Sequence, residues 1–370
     1  MNTLSVLLVT ALGIFTLHYV YFLTRVRLGL LALGTHPCSS DDPPVTIVIA
    51  ARNEEDRIAP CLESLCRLDY PAGRLEVIIT DDHSGDHTIA VARSFTGCLH
   101  GLRILEPDSA GSTASRGKTA ALRRGIDLAT GEIILTTDAD CVVPSGWVRS
   151  MVAHFRSDVA LVSGPVREAG GRNFLGRLES LEFLGLITTG AGLIGAGRPI
   201  ICNGANLAYR RTAYEAVGGF TGTSDDESLM NAIVHRKVGT VAFAADPSAM
   251  VITRSENTVG RFLRQRIRWA SKRGRYEDPT ILVTLVLLYA FFLSVLATAC
   301  LIPQDALLAV PLAVVLVGKA LIEWAALRAG ARLLGDRVPL LPFLVAELLH
   351  VPYIVIAAAV GQIAALRWRH

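Results

Sequence analysis

Charge is scarce in this 370-residue chain: 19% of residues are charged against 51% hydrophobic, and aromatics make up only 6%. Soluble globular domains average about 25% charged residues, so the shortfall leans towards lipid. So much apolar material excludes a disordered chain, a collagen-like fibre and a disulfide-stapled miniprotein. An excess of one sign is missing as well. With 36 basic and 33 acidic residues the net charge is +3, which gives no ground for nucleic-acid binding. The seven cysteines (Cys38, Cys61, Cys66, Cys98, Cys141, Cys202 and Cys300) contain no CxxC pair and are odd in number. A disulfide framework is therefore not expected, and the soluble part is assigned to a reducing compartment. The length suits about two domains.

Long apolar runs are present at both ends. Leu4 to Leu23 carries no charge over 20 residues, which at helical rise spans about 30 Å, one bilayer core. A cleaved signal peptide would begin with a positive region and end in a small-residue cleavage site. Here Met1 to Thr3 is uncharged, and Arg25 and Arg27 come after the run. Residues 1–27 are thus expected to form a retained anchor, with the following chain in the cytoplasm of a multi-pass inner-membrane protein. The second apolar region, 281–367, holds about three segments: Ile281–Ile302, Leu307–Leu327 and Leu340–Leu366. Lys319 and Glu323 stand four apart and can pair along one helix face. Glu347 and His350 share a face of the last segment, which Pro352 interrupts. Strict alternation would put Arg367, Trp368 and Arg369 outside, against the positive-inside rule, so a re-entrant last segment around Pro352 is an alternative.

Residues 45–250 differ in kind. Short β-branched runs (Val45–Ala50, Val77–Thr80, Ile133–Thr137, Ala160–Ser163) alternate with helical stretches (Glu54–Leu68, Thr88–Phe95, Lys118–Leu128, Trp147–Phe155). This alternation predicts an α/β domain around a mostly parallel sheet, whose ligands bind beyond the carboxyl ends of the strands. Carboxylates or amides follow three of the runs: Asn53, Glu54 and Glu55; Asp81 and Asp82; Asp138 and Asp140. Any one cluster suits a turn or a helix cap, but three at strand exits converge on one crevice. Asp138 and Asp140 are spaced to grip a hard divalent cation, Mg²⁺ or Mn²⁺, which leaves positions open for phosphate oxygens. Gly117 and Lys118 open a helix and add a cation and free N–H groups for the same anion. Asp225 and Asp226 precede a helix, either as its acidic first turn or as the source of a general base.

Eight basic residues lie between Arg254 and Arg275 against one acid, Glu256. Residues 251–278 therefore read as a basic segment at the membrane surface, within which Gln265, Arg268 and Trp269 share a turn suited to a diphosphate and a sugar ring.

In this order, Val45 to Glu55, Asp81 to Ser84, Gly117-Lys118, Asp138-Ala139-Asp140, Asn203 to Asn206, Asp225-Asp226 and Gln265 to Trp269 resemble the family 2 glycosyltransferases. The closing motif resembles the QxxRW element of the membrane-bound branch, which includes hyaluronan, cellulose and poly-N-acetylglucosamine synthases and ceramide glucosyltransferase. The resemblance implies an α/β GT-A catalytic domain, Rossmann-like with a mostly parallel sheet, flanked by N- and C-terminal transmembrane helices. It implies that Ala51, Asn53, Glu54, Asp81, Asp82, Lys118 and Asp138 line the donor nucleotide site. Asp138 and Asp140 hold the metal, Asp140 more directly. Gln265, Arg268 and Trp269 shape the acceptor and diphosphate site, and Asp226 is the base. Ser224-Asp225-Asp226 departs from the commoner Thr-Glu-Asp and Gly-Asp-Asp forms, which leaves Asp225 as the alternative base.

The implied activity is inverting transfer from a nucleotide sugar, UDP-linked by preference, to a lipid or lipid-linked hydroxyl. The expected partners are the donor, a lipid or glycan acceptor and membrane lipids, without nucleic acid. A processive polysaccharide synthase is the alternative. About four membrane segments make a small wall for a polymer channel, which an oligomer or partner subunit could complete. A haloacid-dehalogenase-type phosphatase would carry its Asp138-like motif on the first core strand, and a non-catalytic scaffold would have lost its carboxylates. The GxGxxG spelled by Gly190 to Gly195 follows a helical stretch rather than a strand and is not a dinucleotide site.

Overall fold

The computed structural model describes residues 2–34, 42–99, 101–107, 117–169, 173–221, 225–254, 260, 263–267 and 277–367. The chain divides into two compact units: Ala32–Ala169 with Leu193–Arg254, and Met1–Leu31 with Gly170–Gly192 and Ser255–His370.

The first of these is the α/β unit. Its strands are β1 (Val45–Ala51), β2 (Leu75–Asp81), β3 (Leu102–Leu105), β4 (Ile133–Thr136), β5 (Val159–Ser163), β6 (Val166–Ala169), β7 (Leu207–Arg210), β8 (Thr240–Phe243) and β9 (Val251–Arg254). Seven form a sheet in the order β3-β2-β1-β4-β7-β5-β8, and β6 pairs with β9 separately. The sheet is parallel except at β7, which runs antiparallel to both β4 and β5. The helices of this unit are α2 (Ile58–Leu65), α3 (Thr88–Arg93), α4 (Lys118–Asp127), α5 (Trp147–Val152), α7 (Arg211–Ala216) and α8 (Asp226–His235). Apolar runs such as Ile47-Val48-Ile49 are fully buried, as expected of a parallel sheet covered on both faces. β1, β2 and β4 all end on the side where the carboxylates follow, because β1 aligns Ala51 with Asp81 and Val48 with Thr136.

Cys66, just past α2, and Cys98 lie side by side as a disulfide pair, with their Cα atoms 5.8 Å apart and the residues 32 positions apart in the sequence; one pair does not amount to a disulfide framework. Helices α2 and α3 pack together and bring the two cysteines into reach, a proximity that counting cysteines and searching for CxxC could not detect.

The second unit is helical: α1 (Thr3–Ala32), α6 (Phe174–Gly195), α9 (Pro279–Leu301), α10 (Ala309–Leu333) and α11 (Leu340–Arg367). Among the described residues, five helices are long and apolar enough to cross a membrane, one more than the sequence suggested. The addition is α6. It leaves β6 and returns to β7, which pairs inside the sheet between β4 and β5. Helix α1 continues nine residues past Leu23 and includes Arg25 and Arg27. At 30 residues it is about 45 Å long, and its last turns outrun a bilayer core of about 30 Å. Helix α11 runs unbroken through Pro352, where the sequence suggested an interruption.

Small residues let these helices approach. A methyl group at Gly192 of α6 would stand 2.4 Å from the Val26 carbonyl oxygen of α1, and one at Gly330 of α10 would stand 2.0 Å from Thr188 Oγ1 of α6. Tyr19 stacks on Phe291 with ring centroids 4.2 Å apart, and its hydroxyl donates to Glu323. Lys319 Nζ lies 2.8 Å from both Glu323 and Glu347, and His350 Nδ1 lies 3.5 Å from Glu323. The pairing of Lys319 with Glu323 is the one their spacing predicts. The core around it is filled by Leu12, Leu23, Phe291, Phe292, Val295, Leu312 and Val351.

Candidate active site

The loop after β1 and the loop after β2 are laced together. Asn53 takes a left-handed backbone, φ 54°. Its side-chain oxygen accepts from the Gly85 N–H at 2.8 Å, and its own N–H donates to Ser84 Oγ at 3.0 Å. Glu54 N–H donates to Thr88 Oγ1 at 2.8 Å, while Glu55 accepts from His87 N–H at 2.8 Å. Asp81 accepts from Ser84 N–H at 3.2 Å. Asp82 is buried, accepts from Gly117 N–H at 2.9 Å and lies 3.5 Å from Arg52. Gly117, at φ 108°, adopts a backbone that a side chain would strain, and through it Asp82 sets the start of α4.

Lys118 is the first residue of α4 and pairs with Asp138, beyond β4. Crowding by protein atoms acts to lower the ammonium pKa, but the carboxylates of Asp138 and Asp226 outweigh it and hold it above the ordinary lysine value. Asp226 belongs to this cluster although 88 residues separate it from Asp138. Its carboxylate rests against Gly204: a methyl group there would meet Asp226 Oδ2 at 2.0 Å. Gly204 is in turn tied down by Thr136 Oγ1, at the end of β4, which donates to its carbonyl at 3.0 Å. The neighbouring acid has a different environment. Asp225 caps α8, accepting from Ser228 N–H at 3.0 Å and Ser228 Oγ at 2.8 Å. Ser224 lies outside the described residues.

Ligand atoms of Asp138, Asp140 and Cys141 lie within 4.8 Å of one another. Burial and the Asp138 charge raise the Asp140 pKa. Burial pushes the Glu54 carboxyl up to about 6, with Arg57 acting against it and Asp140, Asp138 and Asp86 adding to it. Close carboxylates that resist joint ionisation fit a divalent cation. Burial raises the Cys141 thiol and pushes the Cys61 thiol up to about 12, and a hard cation prefers the carboxylate oxygens to sulfur. Of the two carboxylates, Asp138 is engaged by Lys118.

The structure thus brings Glu54, Lys118, Asp138, Asp140 and Asp226 together in the α/β unit, with Ala51, Asn53, Asp81 and Asp82 on the adjoining loops. In the helical unit Gln265 lies in a helical stretch, 263–267, while Arg268 and Trp269 lie outside the described residues. Reasoning from sequence assigned Asn203-Gly204-Ala205-Asn206 no task. Gly204 seats Asp226. Asn206, fully buried, accepts from Trp147 Nε1 at 2.8 Å and donates to the Pro165 and Ala249 carbonyls at 2.8 and 2.7 Å. A polar residue followed by small ones before a strand was the available signal.

A mostly parallel α/β sheet with acidic residues at its strand exits defines the class as a GT-A glycosyltransferase. Models of "glycosyl transferase family 2" and "glycosyl transferase family group 2" match residues 46–218 and 133–346, and the chain belongs to glycosyltransferase family 2. A β-monoglucosyldiacylglycerol synthase of Synechocystis is 31% identical over 247 residues, 64% of this chain and 48% of that one. A poly-β-1,6-N-acetyl-D-glucosamine synthase of Staphylococcus epidermidis is 26% identical over 266 residues, 69% of this chain and 61% of that one. The matches span about half to three fifths of those relatives. The mannosyltransferase PcManGT of Pyrobaculum calidifontis, solved with GDP-Man and Mn²⁺, shares the fold with a TM-score of 0.62 at 21% identity, covering 97% of each chain.

Proposed function

We propose that this glycosyltransferase moves a single sugar from a nucleoside-diphosphate donor, UDP-linked by preference, to the hydroxyl of a lipid acceptor at the cytoplasmic face of the inner membrane, with inversion. The carrying observation is the Lys118 ammonium at the start of α4, paired with Asp138 beyond β4 and within the field of Asp226. It supports a diphosphate beside Lys118 and a base within reach of the same centre.

In this reading Ala51, Asn53, Glu54, Asp81 and Asp82 bind the nucleoside. Asp226 takes the proton of the acceptor hydroxyl as its oxygen bonds to the anomeric carbon. The bond from that carbon to the diphosphate oxygen breaks on the opposite face, and its electron pair leaves with the nucleoside diphosphate. Lys118 and the first N–H groups of α4 stabilise that charge. Asp140, with Asp138, would hold Mg²⁺ or Mn²⁺, which when bound supplies positive charge to the diphosphate. Asp225 supports the base by starting α8, and Gln265, Arg268 and Trp269 attend the acceptor and the diphosphate. Residues 45–250, apart from α6, form the cytoplasmic catalytic part; 1–27 and 281–367 anchor it, and the basic 251–278 stretch meets the lipid surface.

A lipid acceptor rather than a growing polymer is favoured by the packed core of α1, α9, α10 and α11. Aromatic and aliphatic side chains fill that core, and its charges pair with one another. A glycolipid synthase among the relatives supports the same choice. The test is to incubate the detergent-purified full chain with radiolabelled UDP- and GDP-sugars, native lipids and diacylglycerol. Label should move into an organic-soluble product carrying one sugar. Label retained in a high-molecular-weight polymer would establish the processive reading instead, and no transfer from any donor would refute the activity.

A further inference from the structure

Arg266, the residue after Gln265, is buried, and its side chain is 4% exposed. A guanidinium withdrawn from water needs a partner able to satisfy several donors. Glu182, on α6, is that partner. Arg266 Nε donates to Glu182 Oε1 at 2.9 Å and Oε2 at 2.7 Å, and Nη2 donates to Oε2. Tyr353, on α11, donates its hydroxyl to Glu182 Oε1 at 2.8 Å. Arg266 Nη1 reaches back to Gln265 and donates to its side-chain oxygen at 2.6 Å. All four residues belong to the helical unit.

The chemistry of this arrangement is one of fixation. The planar fork of Arg266 matches the Glu182 carboxylate on two edges, a geometry lysine does not reproduce. Tyr353 and Arg266 together pin the Glu182 carboxylate, and the remaining Arg266 nitrogen sets the Gln265 amide. Through two charged groups and one hydroxyl, stretch 263–267 is tied to α6 and α11. We propose that Arg266 is a positioning residue: its lock onto Glu182 and Tyr353 sets the Gln265 side chain for the acceptor. This rests on the acceptor-side role proposed above for Gln265. Arg266 itself touches no reacting atom.

The test is a double-mutant cycle in the full-length, detergent-purified chain: Arg266→Glu, Glu182→Arg and the charge-exchanged double variant. Lipid-acceptor KM and kcat, UDP affinity and folded fraction are measured for each. Misplacing a group by about 1 Å costs about 10²-fold, so each single variant should lower kcat/KM for the acceptor about 10- to 100-fold per folded molecule. UDP affinity should fall much less than acceptor kcat/KM, because the nucleoside loops are not disturbed. The exchanged pair should recover a substantial part of the loss, since the charges are again complementary. If the single variants do not fold, Tyr353→Phe and Arg266→Lys serve instead. Each keeps the volume, and each should still raise acceptor KM or lower kcat severalfold.

Single and double losses that simply add would overturn the inference, as would a fall in folded fraction with turnover per folded molecule unchanged. That outcome leaves the proposed activity standing. Wild-type protein that binds UDP yet transfers no sugar would overturn the activity, and the inference with it.

Discussion

The Asp226 carboxylate lies against Gly204 so closely that a single methyl group on residue 204 would stand 2.0 Å from Oδ2 and 2.4 Å from Cγ. The bare Cα is the floor on which the acid rests, and the floor is fastened to β4 through Thr136. Gly204→Ala should therefore displace Asp226 and leave the sheet intact. Sugar transfer is expected to fall about 10²-fold, with UDP affinity and thermal unfolding nearly unchanged. Turnover and calorimetry on the same preparation decide it: normal turnover would mean that Asp226 has no required position.

Two adjacent acids give a second contrast. Asp226→Asn keeps the shape and removes proton acceptance, so transfer should drop about 10²–10⁴-fold, with UDP binding retained. Asp225→Ala removes the α8 cap on Ser228 and should cost about 1 kcal/mol of stability while turnover per folded molecule is largely kept. The reverse pattern would move the base to Asp225.

Glu54 provides a pH test. Its carboxyl is pushed up to about 6 in the folded chain from an ordinary 4.5, so the folded state holds the proton more tightly than the unfolded one. The stability this contributes is fully present below 4.5 and is lost as pH rises through about 6. In chelator-treated protein, wild-type Tm should fall relative to Glu54→Gln across that interval. Added Mn²⁺ should shrink the difference by favouring the ionised carboxylate. Parallel melting curves without metal would show that burial and the neighbouring acids do not hold the Glu54 proton.

Lys319 faces both Glu323 and Glu347 at 2.8 Å inside the helical unit. Lys319→Met strands the buried Glu323 and the partly buried Glu347 carboxylates and should cost about 3–5 kcal/mol in detergent. The triple variant Lys319→Met, Glu323→Gln, Glu347→Gln should regain much of that, because an apolar and neutral replacement leaves no unpaired charge. A triple variant as unstable as the single would show that hydrogen bonding, not charge balance, holds the cluster.

Local patterns carried the sequence reading far. The run Val45–Ala50 became β1, Val77–Thr80 lies inside β2, and Lys118–Leu128 is α4 to within one residue, because β-branched runs and helix starts act over a few residues. The carboxylates after β1, β2 and β4 were legible for the same reason: a parallel sheet puts all its strand ends on one side. Long-range pairing was not legible. Nothing near Leu207 announces that β7 inserts antiparallel between β4 and β5. Nothing near Cys66 points to Cys98. Helix α6 read as part of the α/β domain because its apolar residues suit a core as well as they suit neighbouring apolar helices. Gly204 and Arg266 lie inside quoted motifs, yet their tasks depend on Asp226 and Glu182, 22 and 84 residues away.

The division of the chain carries a consequence for how such a protein persists in a cell. The polypeptide passes between its two units four times, after Leu31, Ala169, Gly192 and Arg254. The third passage follows α6, whose Gly185, Thr188 and Gly192 sit against Leu327, Gly330 and Val26. No single cut by a protease can therefore release the sheet as a water-soluble enzyme. A fragment running from 32 to 254 would drag α6 with it and bare Leu181, Phe183, Leu184 and Ile187, which are buried in the intact chain, inviting aggregation. A cut at either edge of the α/β unit would therefore leave α6 attached to it.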